Sequence, residues 1–247
     1  MLKKSLRILP LAVVLATATL FGDVQMTPSQ TAAAIENKLH SAQIYTHGEV
    51  HVTYANGVAT LTGTVNNLAA KRAAVQAARK IKGVTQVVDN IRIYAVNVTP
   101  QLILEHARKD VVTYYAYTIF DNVNLELRGN TLIVSGEVTQ PFKKYDLAKI
   151  LTDVNGVDRV VNDLKVLPVS SFDDRLRLQI ARAIYGNPYF TYYANQAIPP
   201  IHIIVDNGNV TLTGVVATKM DREVAMMRAR SVGLSFSVKD HLRVEHS

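Results

Sequence analysis

Residues 50–65, VHVTYANGVATLTGTV, decide the fold. Val50, Val52 and Tyr54 alternate with mostly polar residues, a period of two that marks a half-buried strand. Asn56-Gly57 follows, a dipeptide that tolerates the positive φ angles of a tight hairpin. Ala59, Leu61 and Val65 then share one face of a returning strand, and Gly63 stands on that same face. The stretch predicts a β-hairpin with one apolar side.

The hairpin recurs without gaps at residues 123–138, VNLELRGNTLIVSGEV, and 201–216, IHIIVDNGNVTLTGVV. Gly63, Gly136 and Gly214 align, as do the turn dipeptides Asn56-Gly57, Gly129-Asn130 and Asn207-Gly208. A glycine inside a strand permits close approach of another element, and the three are expected to seat a helix against the sheet. Downstream of each glycine comes an apolar helix face: Ala74, Ala78 and Ile81, then Leu147, Leu151 and Val154, then Ala225, Ala229 and Val232. Gly83, Gly156 and Gly233 are expected to end these helices. A last strand follows each time, with Ile91, Leu164 and Leu242 in equivalent places.

A leading helix precedes every hairpin. Thr27-Pro28-Ser29-Gln30 reads as an N-cap, a first-turn proline and a capping-box partner, Thr99-Pro100 repeats the start, and Ser171 with Asp174 reads as a capping box. Phe172, Leu176, Ile180 and Ile184 form a stripe. The expectation is an α+β chain of three tandem αββαβ modules, residues 27–95, 96–168 and 169–247. Each has two helices on one face of a three-stranded sheet, because the other face is largely polar. The joints are short, so packing between modules is expected rather than free motion.

Upstream, Lys3, Lys4 and Arg7 precede an apolar run from Ile8 to Phe21, with Ala16-Thr17-Ala18 as a small-residue cleavage pattern. That layout is a secretory signal peptide over residues 1–18, with an uncleaved anchor as the alternative. A spanning helix needs about 20 apolar residues, more than this run supplies. With no cysteine in the chain, disulfides, thiolate metal sites, cysteine nucleophiles and a lipoprotein anchor are excluded. The full chain carries +7, and loss of three basic residues with the signal leaves +4, a mild excess. Nucleic acid is therefore not an expected partner.

The order of elements, Asn-Gly-x-x-x-Leu-Thr-Gly-x-Val at residues 56–65 and Gly-Val-x-x-Val-x-Asp-x-Ile at 83–91 resemble the BON domain, named for bacterial osmotically induced and nodulation proteins. The third copy departs most, its helix-ending glycine being shifted by one residue. The resemblance implies a periplasmic or envelope protein that contacts phospholipid, supports outer-membrane integrity under osmotic stress or acts as a chaperone-like or interaction module. It carries over no catalytic residues. Most members have one or two copies, so three imply avidity or scaffolding.

No nucleophile elbow, phosphate loop or His-Glu-x-x-His motif occurs, so no enzyme and no cofactor is expected. His40, His47 and His51 lie close in sequence but read as surface residues, as does His202, which shares the strand position of His51. Asp153, Asp158 and Asp163 read as capping and solvated groups. Binding candidates are Lys71, Arg72, Arg79, Lys80 and Lys82 around the second helix of the first module. Lys144 and Arg222 are the counterparts of Lys71. Net charges of +4, −1 and +2 for the three modules direct any polyanion to the first and third. Aromatic candidates cluster before the hairpins: Tyr45 in the first module, Tyr114, Tyr115, Tyr117 and Phe120 in the second, and Tyr185, Tyr189, Phe190, Tyr192 and Tyr193 in the third. The expected partner is an anionic membrane surface or an envelope protein. A chaperone-like protective role and a self-associating scaffold are the alternatives.

Overall fold

A computed structural model describes residues 26–245; the expected signal peptide lies outside the described residues. Three units follow one another with the same order of elements. The first contains α1 (Pro28–Ser41), β1 (Gly48–Ala55), β2 (Val58–Val65), α2 (Leu68–Arg79) and β3 (Gln86–Ile93). The second contains α3 (Pro100–Thr113), β4 (Asn122–Arg128), β5 (Thr131–Val138), α4 (Pro141–Ile150) and β6 (Arg159–Val166). The third contains α5 (Ser171–Tyr185), a short α6 (Thr191–Ala194), β7 (Ile201–Asp206), β8 (Asn209–Val216), α7 (Lys219–Ser231) and β9 (Ser237–Val244). In each sheet the second strand is central, antiparallel to the first and parallel to the third. The register is the same throughout: Val52 faces Leu61, Leu125 faces Val134 and Ile203 faces Leu212.

Each unit closes its own apolar core between helices and sheet. Ile35, Leu39, Leu61, Ala74 and Ile91 fill the first, Ala107, Val134, Leu147 and Leu164 the second, and Ile180, Leu212, Ala225 and Leu242 the third. Thr27 caps α1 with a complete capping box to Gln30, and Thr99 caps α3. The box read at Ser171 is displaced by one residue: Ser170 is the cap, accepting from the Asp173 N–H at 3.1 Å. Asp173 itself is buried and accepts from the backbone N–H groups of Asn207 and Gly208, both at 2.9 Å. It thereby ties the β7–β8 turn to the start of α5.

Two expectations about glycine change. A Cβ on Gly63, Gly136 or Gly214 would lie 2.1, 2.1 or 1.9 Å from the carbonyl oxygens of Glu49, Asn122 and Pro200. Those oxygens belong to the adjacent edge of the same sheet, so the close neighbour is a strand backbone and not a helix. Positive φ angles of 119°, 111° and 123° at these positions place the glycines where other residues are strained. Gly233 follows the Val232 C-cap of α7, but α2 and α4 end at Arg79 and Ile150, several residues before Gly83 and Gly156. A 3-10 turn, Leu151–Asp153, fills part of that gap in the second unit.

The units are joined by two different devices. Between the first and second, Asn67 caps α2 by accepting from the Ala70 N–H at 2.8 Å, while its amide donates to the Asp153 carbonyl at 3.1 Å. The Gly156 N–H donates to the Asn66 carbonyl at 2.8 Å beside it. Between the second and third, the Ile203 N–H on the β7 edge donates to the Ile119 carbonyl at 2.7 Å. Ile119 and Phe120 pack against the core of the third unit.

Candidate binding surfaces

The basic residue eight positions after each aligned glycine holds helix to strand. Lys71 donates to the Ile91 carbonyl at 2.6 Å and pairs with Asp89 at 3.4 Å. Arg222 pairs with Asp240 at 2.7 Å. In the second unit the link is reversed, the Asn162 amide donating to the Lys144 carbonyl at 2.8 Å. Asp89, Asn162 and Asp240 also accept from the backbone N–H two residues ahead, at 3.1, 3.2 and 3.0 Å. The Asp/Asn position of the later motif is therefore a latch between the second helix and the last strand.

Arg72, Arg79, Lys80 and Lys82 remain exposed on α2 and just beyond it. Arg72 lines a groove of about 500 Å³ between α2 and α4, shared with Ala69, Ala73, Tyr145, Lys149 and Asp153. Tyr145, exposed on α4, is thus the aromatic ring beside the basic helix, and the sequence reading did not single it out.

Most of the aromatic candidates are built into the units. Phe190 and Tyr193 are buried, which corrects their reading as contact residues. Tyr193 donates to Asp221 at 2.9 Å and accepts from the Ala217 N–H at 2.7 Å, while Tyr189 donates to the other Asp221 oxygen at 2.7 Å. Burial works to raise the Asp221 pKa, but hydrogen bonds from Tyr189, Tyr193 and Thr218 hold it below the ordinary carboxylate value. Tyr192 and Tyr115 are free to face solvent. A tyrosine also meets the start of each first strand. Tyr45 donates to the Val50 carbonyl at 3.2 Å, Tyr185 to the Ile201 carbonyl at 2.6 Å, and the Tyr117 hydroxyl faces the Val123 backbone. Burial, followed by the Asp121 carboxylate, pushes Tyr117 up to about 12.

Asp121 was not legible as important, and it is the most connected carboxylate described. Fully buried, it accepts from the Thr118 N–H and hydroxyl, from the Thr139 N–H and hydroxyl, and from Lys143 at 2.7 Å. Its carbonyl meets His202 Nδ1 at 2.6 Å, and the His202 ring lies 5.5 Å from that of Tyr117. His202 is thus a junction residue, not a surface one. Burial lowers its pKa, although the Asp121 carbonyl and carboxylate act against that shift.

His40, His47 and His51, close in sequence, do not converge. His40 stacks on Tyr45, His47 bonds Asn66 at 3.1 Å, and His51 sits 3.6 Å from Glu49. Among the described residues no group of three or more metal-ligating side chains occurs, and no helix is long and apolar enough to cross a membrane.

No curated protein matches the chain. Two solved structures of CdsD, a structural protein of the type III secretion system of Chlamydia trachomatis, are similar to it. One is 14% identical over 87% of this chain and 92% of that one, with a TM-score of 0.25. The other, the C-terminal domain, is 15% identical over 89% and 99%, with a TM-score of 0.26. A family model described as the BON domain matches residues 28–95 and 173–246, the first and third units, leaving the second between them. With the repeated sheet order and the Asp/Asn latch already in view, the chain belongs to the BON domain family.

Proposed function

We propose that this chain is a non-catalytic adaptor of the bacterial envelope, working in the periplasm, whose first unit meets anionic phospholipid. In this reading the second unit is a diverged third copy of the domain, and the modules run over 27–95, 96–168 and 169–247. The observation that carries the proposal is the division of labour on α2. Lys71 is folded onto β3, whereas Arg72, Arg79 and Lys80 are exposed, Arg72 beside Tyr145 and Lys149. An exposed cation near an anionic surface contributes about 1 kcal/mol. Tyrosine suits the same boundary through its apolar ring and polar tip.

Co-sedimentation with vesicles, with and without phosphatidylglycerol, tests this reading. Binding should require the anionic lipid, and the triple reversal R72E/R79E/K80E should weaken it by about a hundredfold or more. Equal failure on both vesicle types ends the lipid version. A chaperone-like role is favoured by a separate observation. An apolar groove of about 400 Å³ runs along α5, lined by Ile119, Leu178, Ala181, Tyr185 and Pro199. Suppression of client aggregation that survives the triple reversal supports that second reading.

A further inference from the structure

The first strand of every unit lies at the edge of its sheet, and one such edge shows how it is used. In the third unit the Ile201 N–H donates to the Tyr185 hydroxyl at 2.9 Å, and the next outward N–H, that of Ile203, donates to the Ile119 carbonyl. The Ile119 and Phe120 side chains then settle on the third core. One backbone hydrogen bond to the edge strand is thus supplied from within the chain, the contact from which strand addition is built.

The second unit has the same edge without that segment on it. Leu125 occupies the register of Ile203, so its N–H also turns away from β5. Tyr117 faces the Val123 backbone as Tyr185 faces Ile201. Beside this edge runs a groove of about 320 Å³ between α3 and β4, walled by Val111, Val112, Tyr117 and Leu125. Arg108 and Arg243 stand at it, Arg243 coming from β9 of the third unit, and neither side chain forms an ion pair among the described residues.

We propose that this groove binds an extended segment of a partner protein by strand addition. The segment presents an apolar residue to Val112 and Leu125, a backbone carbonyl to the Leu125 N–H, and a carboxylate between Arg108 and Arg243. The outward backbone donor selects a peptide over an acyl chain, because only a peptide offers carbonyl acceptors at strand spacing. The two arginines select an acidic residue beside the apolar one. None of these residues belongs to the basic face of α2, so the proposal stands or falls apart from lipid binding.

The probe is an acetylated, amidated peptide Thr-Ile-Phe-Asp-Asn, compared with Thr-Ile-Phe-Lys-Asn, added to the full chain. Residue-resolved amide exchange is the readout. The aspartate peptide should slow exchange at Leu125, and the lysine peptide should bind at least about tenfold more weakly. In R108E/R243E, whose changes are both at exposed positions, the preference should invert. Leu125→Pro, which deletes the donor at an edge position, should abolish binding while circular dichroism stays native. Four outcomes overturn the proposal: no slowing at Leu125, slowing at Ile203 instead, a preference indifferent to the arginine reversals, or protection of Leu125 without peptide. The last, if it rises with protein concentration, assigns the edge to a second copy; if it follows phosphatidylglycerol vesicles, it assigns the edge to lipid.

Discussion

Replacing Asp121 by alanine should be among the most damaging single changes in the second unit. The Asp121 and Lys143 side chains are 0% and 7% exposed and stand 2.7 Å apart. At an effective dielectric of about 20, that separation corresponds to a gross attraction of about 6 kcal/mol. Desolvating the two ions costs several kcal/mol each, so the intact pair contributes far less than the attraction alone. Removing only the aspartate is another matter. Lys143 is left as a buried cation, and the Thr118 and Thr139 N–H groups lose their acceptor. Breaking one side of a buried pair costs about 3–5 kcal/mol, and D121A is expected near the upper end of that range. Urea unfolding followed by circular dichroism measures it. D121A/K143M, which removes the stranded charge, should be more stable than D121A alone. A loss below about 1 kcal/mol, or a double variant no better than the single, would refute the reasoning.

Acid should loosen the junction of the second and third units through His202. Its folded-state pKa lies below the ordinary 6.5 because burial disfavours the charged ring. The unfolded chain therefore takes up the proton first. The contribution of His202 is complete above about pH 6.5 and is lost as pH falls from there through the folded value. Exchange at the Ile203 amide, followed from pH 7.5 to 5, should accelerate in the native chain, and H202N should flatten that dependence. The latch gives a graded expectation: Asp89→Asn, the residue found at position 162, should cost at most about 0.5 kcal/mol, and Asp89→Ala about 1 kcal/mol. Thermal unfolding of the two variants distinguishes them.

The hairpins and most helix starts were legible because each is a local event. Asn56-Gly57 and Asn207-Gly208 adopt the positive φ pairs their side chains allow, and Thr27 and Thr99 cap the helices that follow them. In the second hairpin only Gly129 does so, which shows how far the turn chemistry can drift while the register holds. What could not be read are contacts between distant positions. Asp121 stands alone in sequence, and its partners Thr139 and Lys143 come from the far side of a hairpin. His202 has the parity of an outward residue, but that face is covered by the preceding unit. The basic residues misled for the opposite reason: Lys71 and Arg222 look like members of a charged patch until the strand that engages them is in place.

The two junctions are not copies of each other, one joining a helix cap to a turn and the other laying a linker along a strand. An array grown by adding identical links could be lengthened, shortened or reordered and still fit. This one has a fixed sequence of parts, since the surface that receives the first unit differs from the one that receives the second. Exchanging the outer units would leave both joints without their counterparts.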